Sequence, residues 1–62
     1  MANSDLVQSL LRGLDLLRLL AAAPSGLRLQ DLAEALGLKK TTVHNLVRTL
    51  RARGFLEKDL SG

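Results

Sequence analysis

No cysteine occurs in the 62 residues, so neither a disulfide nor a thiolate-bound metal can stabilise the chain. Tryptophan and tyrosine are absent, and Phe55 is the only aromatic residue. That excludes stacking of bases on aromatic platforms, the habit of many RNA and single-strand binders. Proline and histidine occur once each, as Pro24 and His44. One histidine among six scattered acids makes no metal cluster. No nucleophile–base couple, acid pair or glycine-rich phosphate loop occurs, so no enzyme and no cofactor are expected. No apolar run approaches the roughly 18–20 residues of a membrane span. The opening MANSDL lacks the basic region of a secretory signal. A cytoplasmic protein without membrane contact is expected.

Leucine dominates what is present, and positive charge is unevenly spread. Residues 1–37 carry Arg12, Arg18 and Arg28 against Asp5, Asp15, Asp31 and Glu34, or 3 − 4 = −1. Residues 38–62 carry Lys39, Lys40, Arg48, Arg51, Arg53 and Lys58 against Glu57 and Asp59, or 6 − 2 = +4. A basic half beside a slightly acidic one points to a polyanion as partner for one face. The length suits one domain, 1–62, with a thin core made of aliphatic side chains.

Helical spacing recurs in three places. In the first, about residues 6–22, Val7, Leu10, Leu11, Leu14, Leu17 and Ala21 share one face, with Ser4 or Asp5 as N-cap. Leu16, Leu19 and Leu20 widen that stripe. They fit either a helix buried on most sides or a seam with a second subunit. Gly13 weakens the helix by about 0.5–1 kcal/mol relative to alanine, which suggests a close approach by another element. Pro24-Ser25-Gly26 ends this helix. Leu27-Arg28-Leu29 alternates as a short extended piece would.

The second helix, about 30–36, aligns Leu29, Leu32, Ala33 and Leu36, with Asp31 in its first turn and Gly37 at its C-terminal stop. The third, about 40–53, buries Val43, Leu46, Val47 and Leu50 and stops at Gly54. Its N-cap is not evident, since Lys39 and Lys40 cap poorly and Thr41 starts late. Phe55 begins a strand, with Asp59-Leu60-Ser61-Gly62 as the approach to a turn. Two helices joined by a glycine-led turn of about three residues form a helix-turn-helix. Ala33, four residues before Gly37, allows close approach. Leu32, Leu36, Leu38, Val43 and Leu46 hold the angle. The fold class expected is mainly α: a three-helix winged helix-turn-helix with a short, incomplete β wing.

The stretch LRLQDLAEALGLKKTTVHNLVRTLRARGFLEKD resembles the N-terminal DNA-binding domain of the IclR family of bacterial transcriptional regulators. DLAEALGL, TTVHNLVRTL and RGFLEKD carry the resemblance, and VQSLLRGLDLLRLLAAAPSGL matches the family's first helix and following loop. It implies a winged helix-turn-helix that binds operator DNA as a dimer. A small-molecule effector would act only through a C-terminal domain absent from this chain. Two positions depart from the pattern: the family commonly has proline near Lys39 and arginine where Asn45 stands. The second departure alters which bases are read.

With Val43, Leu46, Val47 and Leu50 facing inward, the third helix turns Thr41, Thr42, His44, Asn45, Arg48 and Thr49 outward, with no acid among them. Such a helix fits the major groove of B-DNA. Thr41 and Thr42 suit phosphate or a thymine methyl, unless one merely caps the helix. Asn45 suits adenine N6 and N7, and Arg48 suits guanine or the backbone. His44 either meets phosphate, which would strengthen binding in mild acid, or packs on the second helix. Lys39 and Lys40 at the turn and Arg28 before the second helix suit phosphates. Arg51 and Arg53 suit solvent or flanking backbone. A homodimer through residues 6–22 is expected, with Leu16 and Leu19 as candidate seam. The competing readings are a MarR-like winged-helix regulator and a winged-helix module that binds protein alone.

Overall fold

The apolar spacing yields three helices, α1 (Gln8–Ala21), α2 (Leu29–Leu36) and α3 (Lys40–Ala52), in a computed structural model that describes residues 5–23 and 26–57. α2 packs on α3, and α1 packs against both. The core is Leu16 from α1, Leu29, Leu32 and Ala33 from α2, and Val43 and Val47 from α3. Leu16, Leu32, Val43 and Val47 are fully buried, each a contribution of about 1.5–3 kcal/mol from apolar surface removed from water. Leu19, Leu20, Leu27, Leu36, Leu38, Leu46, Leu50 and Leu56 pack around them, half-buried. Among the described residues no polar or charged residue lies in this core.

The α2–turn–α3 unit follows from local chemistry. Arg28 is the extended N-cap of α2, and its backbone N–H donates to Asp31 Oδ2 at 3.1 Å. The guanidinium has no acceptor to return, so only this half of a capping box forms. At the other end Gly37 takes φ +68°, a left-handed conformation that costs a residue with Cβ about 1–2 kcal/mol. The Leu38 N–H then reaches back to the Ala33 carbonyl at 2.9 Å, a Schellman closure. α3 ends the same way: Gly54 has φ +83° and the Phe55 N–H donates to the Leu50 carbonyl at 2.9 Å.

Several expectations change. α1 starts from Val7, an extended N-cap with no side-chain cap bond, rather than from Asp5; Ser4 lies outside the described residues. α2 begins one residue earlier than expected, because Leu29 is drawn into the core as its first residue. α3 ends at Ala52 with Arg53 as C-cap. The turn expected at Pro24-Ser25 lies outside the described residues; Gly26, with φ +92°, donates its N–H to Ala23 at 2.8 Å.

No strand occurs among the described residues. The wing strand expected from Phe55 does not form over Phe55–Glu57, and Lys58 to Gly62 lie outside the described residues. A strand needs a neighbour for its ladder. The short extended piece expected at Leu27-Arg28-Leu29 gives its last residue to α2.

The faces of α1 are exchanged relative to the expectation. Leu16 is completely buried, and Leu19 and Leu20 pack on the core, so these are not spare leucines. Val7, Leu10 and Leu14 of the expected inner stripe remain 62%, 60% and 48% exposed, and Leu6 beside them 42%; Leu11 and Leu17 of that stripe are half-buried. A leucine-rich helix offers two registers of similar hydrophobicity; the surface presented by α2 and α3 selects between them. Gly13 is buried, yet a Cβ built there meets nothing within 4 Å. Among the described residues no element approaches it closely.

Candidate nucleic-acid interface

α3 carries no acid from Lys40 to Ala52. Its core line, Val43 and Val47 flanked by Leu46 and Leu50, fixes what the remaining positions face. Helical spacing sorts them into three rows. Thr41, Asn45, Arg48 and Ala52 form the row turned away from the core, and all four are exposed. Lys40, His44 and Arg51 form a second exposed row on the flank. Thr42 and Thr49 lie on the opposite flank, in line with Leu46; Thr42 is half-buried and Thr49 exposed.

Two shallow depressions border the central row. One is lined by Asn45, Arg48, Thr49, Ala52 and Arg53. The other opens at the α2–α3 junction and is lined by Leu29, Lys40, Thr41, His44 and Asn45. Arg28 stands at that junction as N-cap of α2 and is exposed, and Lys39 is the exposed N-cap of α3. Asn45 borders both depressions. His44 is exposed at the junction rather than packed into it.

The fold thus brings Thr41, His44, Asn45 and Lys40 together, beside Lys39 and Arg28. Arg48 continues the central row. From Thr41 to Arg48 the row rises about 10 Å at 1.5 Å per residue, about three base-pair steps of B-DNA. Thr42 is set apart by its half-burial. The N-cap of α3 is Lys39, without any side-chain cap bond, so neither threonine serves as that cap.

Two features went unread in the sequence. Ala52 sits in the central row, one turn past Arg48. The Thr49 hydroxyl donates to the Asn45 carbonyl at 2.7 Å. A threonine inside a helix four residues after a polar position is the signal that could have disclosed this bond.

Among the described residues no group of three His, Cys, Asp or Glu side chains is placed to hold a metal ion. No helix among them is long and apolar enough to cross a membrane.

Comparison with known proteins agrees with the helical arrangement. The model of the IclR helix-turn-helix domain matches residues 9–60. The glycerol operon regulatory protein of Streptomyces coelicolor is 49% identical over 53 residues, which cover 86% of this chain and 21% of that protein. The DNA-binding transcriptional repressor YiaJ of Escherichia coli is 45% identical over 49 residues, 79% of this chain and 17% of the repressor. The transcriptional repressor IclR of Escherichia coli is 40% identical over 52 residues, 84% and 19% of the respective chains. The chain thus spans about a fifth of the length of these curated relatives. No solved structure gives a significant match. With a family model over most of its length, this chain belongs to the IclR helix-turn-helix domain family.

Proposed function

We propose that this chain binds double-stranded DNA sequence-specifically, as the reading domain of a bacterial transcriptional regulator, with α3 in the major groove. One observation carries the reading: the exposed, acid-free row Thr41, Asn45 and Arg48, flanked by Lys39, Lys40 and His44. An α-helix enters the major groove with its N-terminal residues on base edges. Asn45 pairs with adenine through N6 and N7, and Arg48 with guanine or phosphate. Thr41 offers a hydroxyl to phosphate or its methyl to thymine, and Thr42 contributes at the margin. Arg28, Lys39, Lys40 and His44 meet phosphates and set the register. If about six such contacts form, log K falls with log salt at a slope near −5 per subunit. Catalysis has no part in this function, and the cytoplasm is its location.

The operator is palindromic and the binding unit a homodimer, since one helix reads too few base pairs and paired half-sites lie about 34 Å apart or a multiple of it. The seam is α1, but through Leu6, Val7, Leu10 and Leu14 rather than Leu16 and Leu19. Of these, Leu10 and Leu14 line a mainly apolar groove together with Gly13, Leu17, Leu46 and Leu50. Any small-molecule effector acts through a C-terminal domain beyond these 62 residues.

The test is a titration of the chain with a random duplex of about 20 base pairs (two turns of B-DNA) at low salt, followed by backbone amide shifts. Shifts should gather at Arg28 and Lys39–Thr49 and fade as salt rises. A folded chain without shifts at low salt would overturn DNA binding and favour a module that binds protein.

A further inference from the structure

We infer that Thr49 is a positioning residue for the base-reading Asn45, and not itself a contact to DNA. This rests on the reading that α3 enters the major groove.

The hydroxyl of Thr49 lies 2.7 Å from the Asn45 carbonyl and donates to it. That separation is the commonest one for an O–H···O bond. A hydroxyl owns a single proton, and here it is spent on the helix. Phosphate oxygens only accept. Thr49 therefore has nothing to give a phosphate unless it abandons Asn45. Its lone pairs remain, but the residue stands on the flank of α3, bordering the apolar groove of Leu46, Leu50 and α1 as well as the depression beside Asn45.

The bond has a consequence for Asn45. In an α-helix that carbonyl already accepts the N–H of residue 49. A second donor from a threonine side chain draws such a carbonyl outward and is a known source of helix bending. The turn it acts on runs from Asn45 to Thr49 and carries Arg48, so it holds the two members of the central row best suited to bidentate readout. Amide readout of adenine needs two bonds at once, so a small change in the direction of the Asn45 Cα–Cβ bond weakens both. Thr49 thus acts on specificity through backbone geometry, while contributing no counterion release of its own.

The experiment uses the whole 62-residue chain and the duplex it enriches most from a randomised 20-base-pair pool. Affinities are measured for that duplex, for each of its single-base-pair variants and for random duplex, across a salt series. The proteins are wild type, Thr49→Val, Thr49→Ser, Asn45→Ala and the double variant Asn45→Ala with Thr49→Val. Valine keeps the shape and removes the donor; serine keeps the donor.

Thr49→Val should lose discrimination, about three- to tenfold as part of the 1–3 kcal/mol that a bidentate pair supplies, only at the base pair that Asn45→Ala also relaxes. It should add nothing in the Asn45→Ala background. Its affinity for random duplex should match wild type, and Thr49→Ser should restore discrimination. A loss of affinity of the same size on matched, mismatched and random duplexes would mean a phosphate contact and overturn the inference. So would a loss spread evenly over all base pairs, or an effect that persists without Asn45. If the folded wild type enriches no sequence and binds no duplex, the proposed function itself falls, and the inference with it.

Discussion

The exchange of faces on α1 makes a sharp prediction. Leu16 is completely buried, whereas Leu14, two residues earlier, is 48% exposed. Truncation of a buried leucine to alanine costs about 2–5 kcal/mol, because the lost transfer energy is joined by a cavity. Leu14→Ala removes side chain that is half in water already, and should cost about 1 kcal/mol. Sixty-two residues at about 0.05–0.15 kcal/mol each give a total stability of about 3–9 kcal/mol. Leu16→Ala therefore removes about a fifth or more of what holds the domain folded. At about 4–8 °C per kcal/mol for a domain of this size, its melting temperature should fall by at least about 8 °C. That of Leu14→Ala should fall by less than about 8 °C. Thermal melts and urea titrations by far-ultraviolet circular dichroism at low micromolar protein measure both. Equal losses, or a larger loss for Leu14→Ala, would refute the assignment of the inner face. Raising the protein concentration then separates the roles. If Leu14 lies in a dimer seam, wild type and Leu16→Ala gain stability with concentration by mass action, and Leu14→Ala does not.

Four further substitutions test other parts of the structure. Gly37→Ala should destabilise by about 1–2 kcal/mol, purely through the left-handed conformation, since a Cβ there meets nothing within 4 Å; the urea midpoint reads it. Asp31→Ala removes the acceptor of the Arg28 N–H and should cost about 0.5–1 kcal/mol by the same assay. Gly13→Ala should stabilise α1 by about 0.5–1 kcal/mol, because the added methyl has open space; a destabilised monomer would show that something does approach it. Arg48→Ala should either relax specificity at one base pair, if the guanidinium reads guanine, or shallow the salt slope by about one, if it holds phosphate; a salt series on matched and mismatched duplexes shows which.

What was legible in the sequence, and what was not, divides along a physical line. The α2–turn–α3 unit could be read because its signals are local. Gly37 marks a backbone conformation that other residues resist, Asp31 sits where free N–H groups need an acceptor, and the period of Val43, Leu46, Val47 and Leu50 admits one inward face. The outward row of α3 followed by subtraction. The inner face of α1 could not be read, because leucines occupy both of its candidate stripes. Only the shape presented by α2 and α3 decides that Leu16 goes in and Leu10 stays out. The wing is less decided: Phe55 and Leu56 have strand-like composition yet form no strand over Phe55–Glu57, and the rest of the expected strand lies outside the described residues.

The same distinction bears on the interface. The sequence could turn the polar residues of the third helix away from its apolar line, yet it could not say which hydroxyls were already engaged. Thr41 and Thr49 look alike by composition and exposure. They differ because Thr49 has the Asn45 carbonyl within reach, one turn back in the helix interior, while Thr41 lies in the first turn of α3, where the corresponding carbonyl belongs to Gly37, outside the helix. A helix interior supplies a threonine with an acceptor and a helix start does not. The threonine nearer the N-terminus is therefore the one left with a proton to offer DNA, and Thr41→Val should weaken binding to every duplex alike or relax one base pair, where Thr49→Val leaves affinity for random duplex alone.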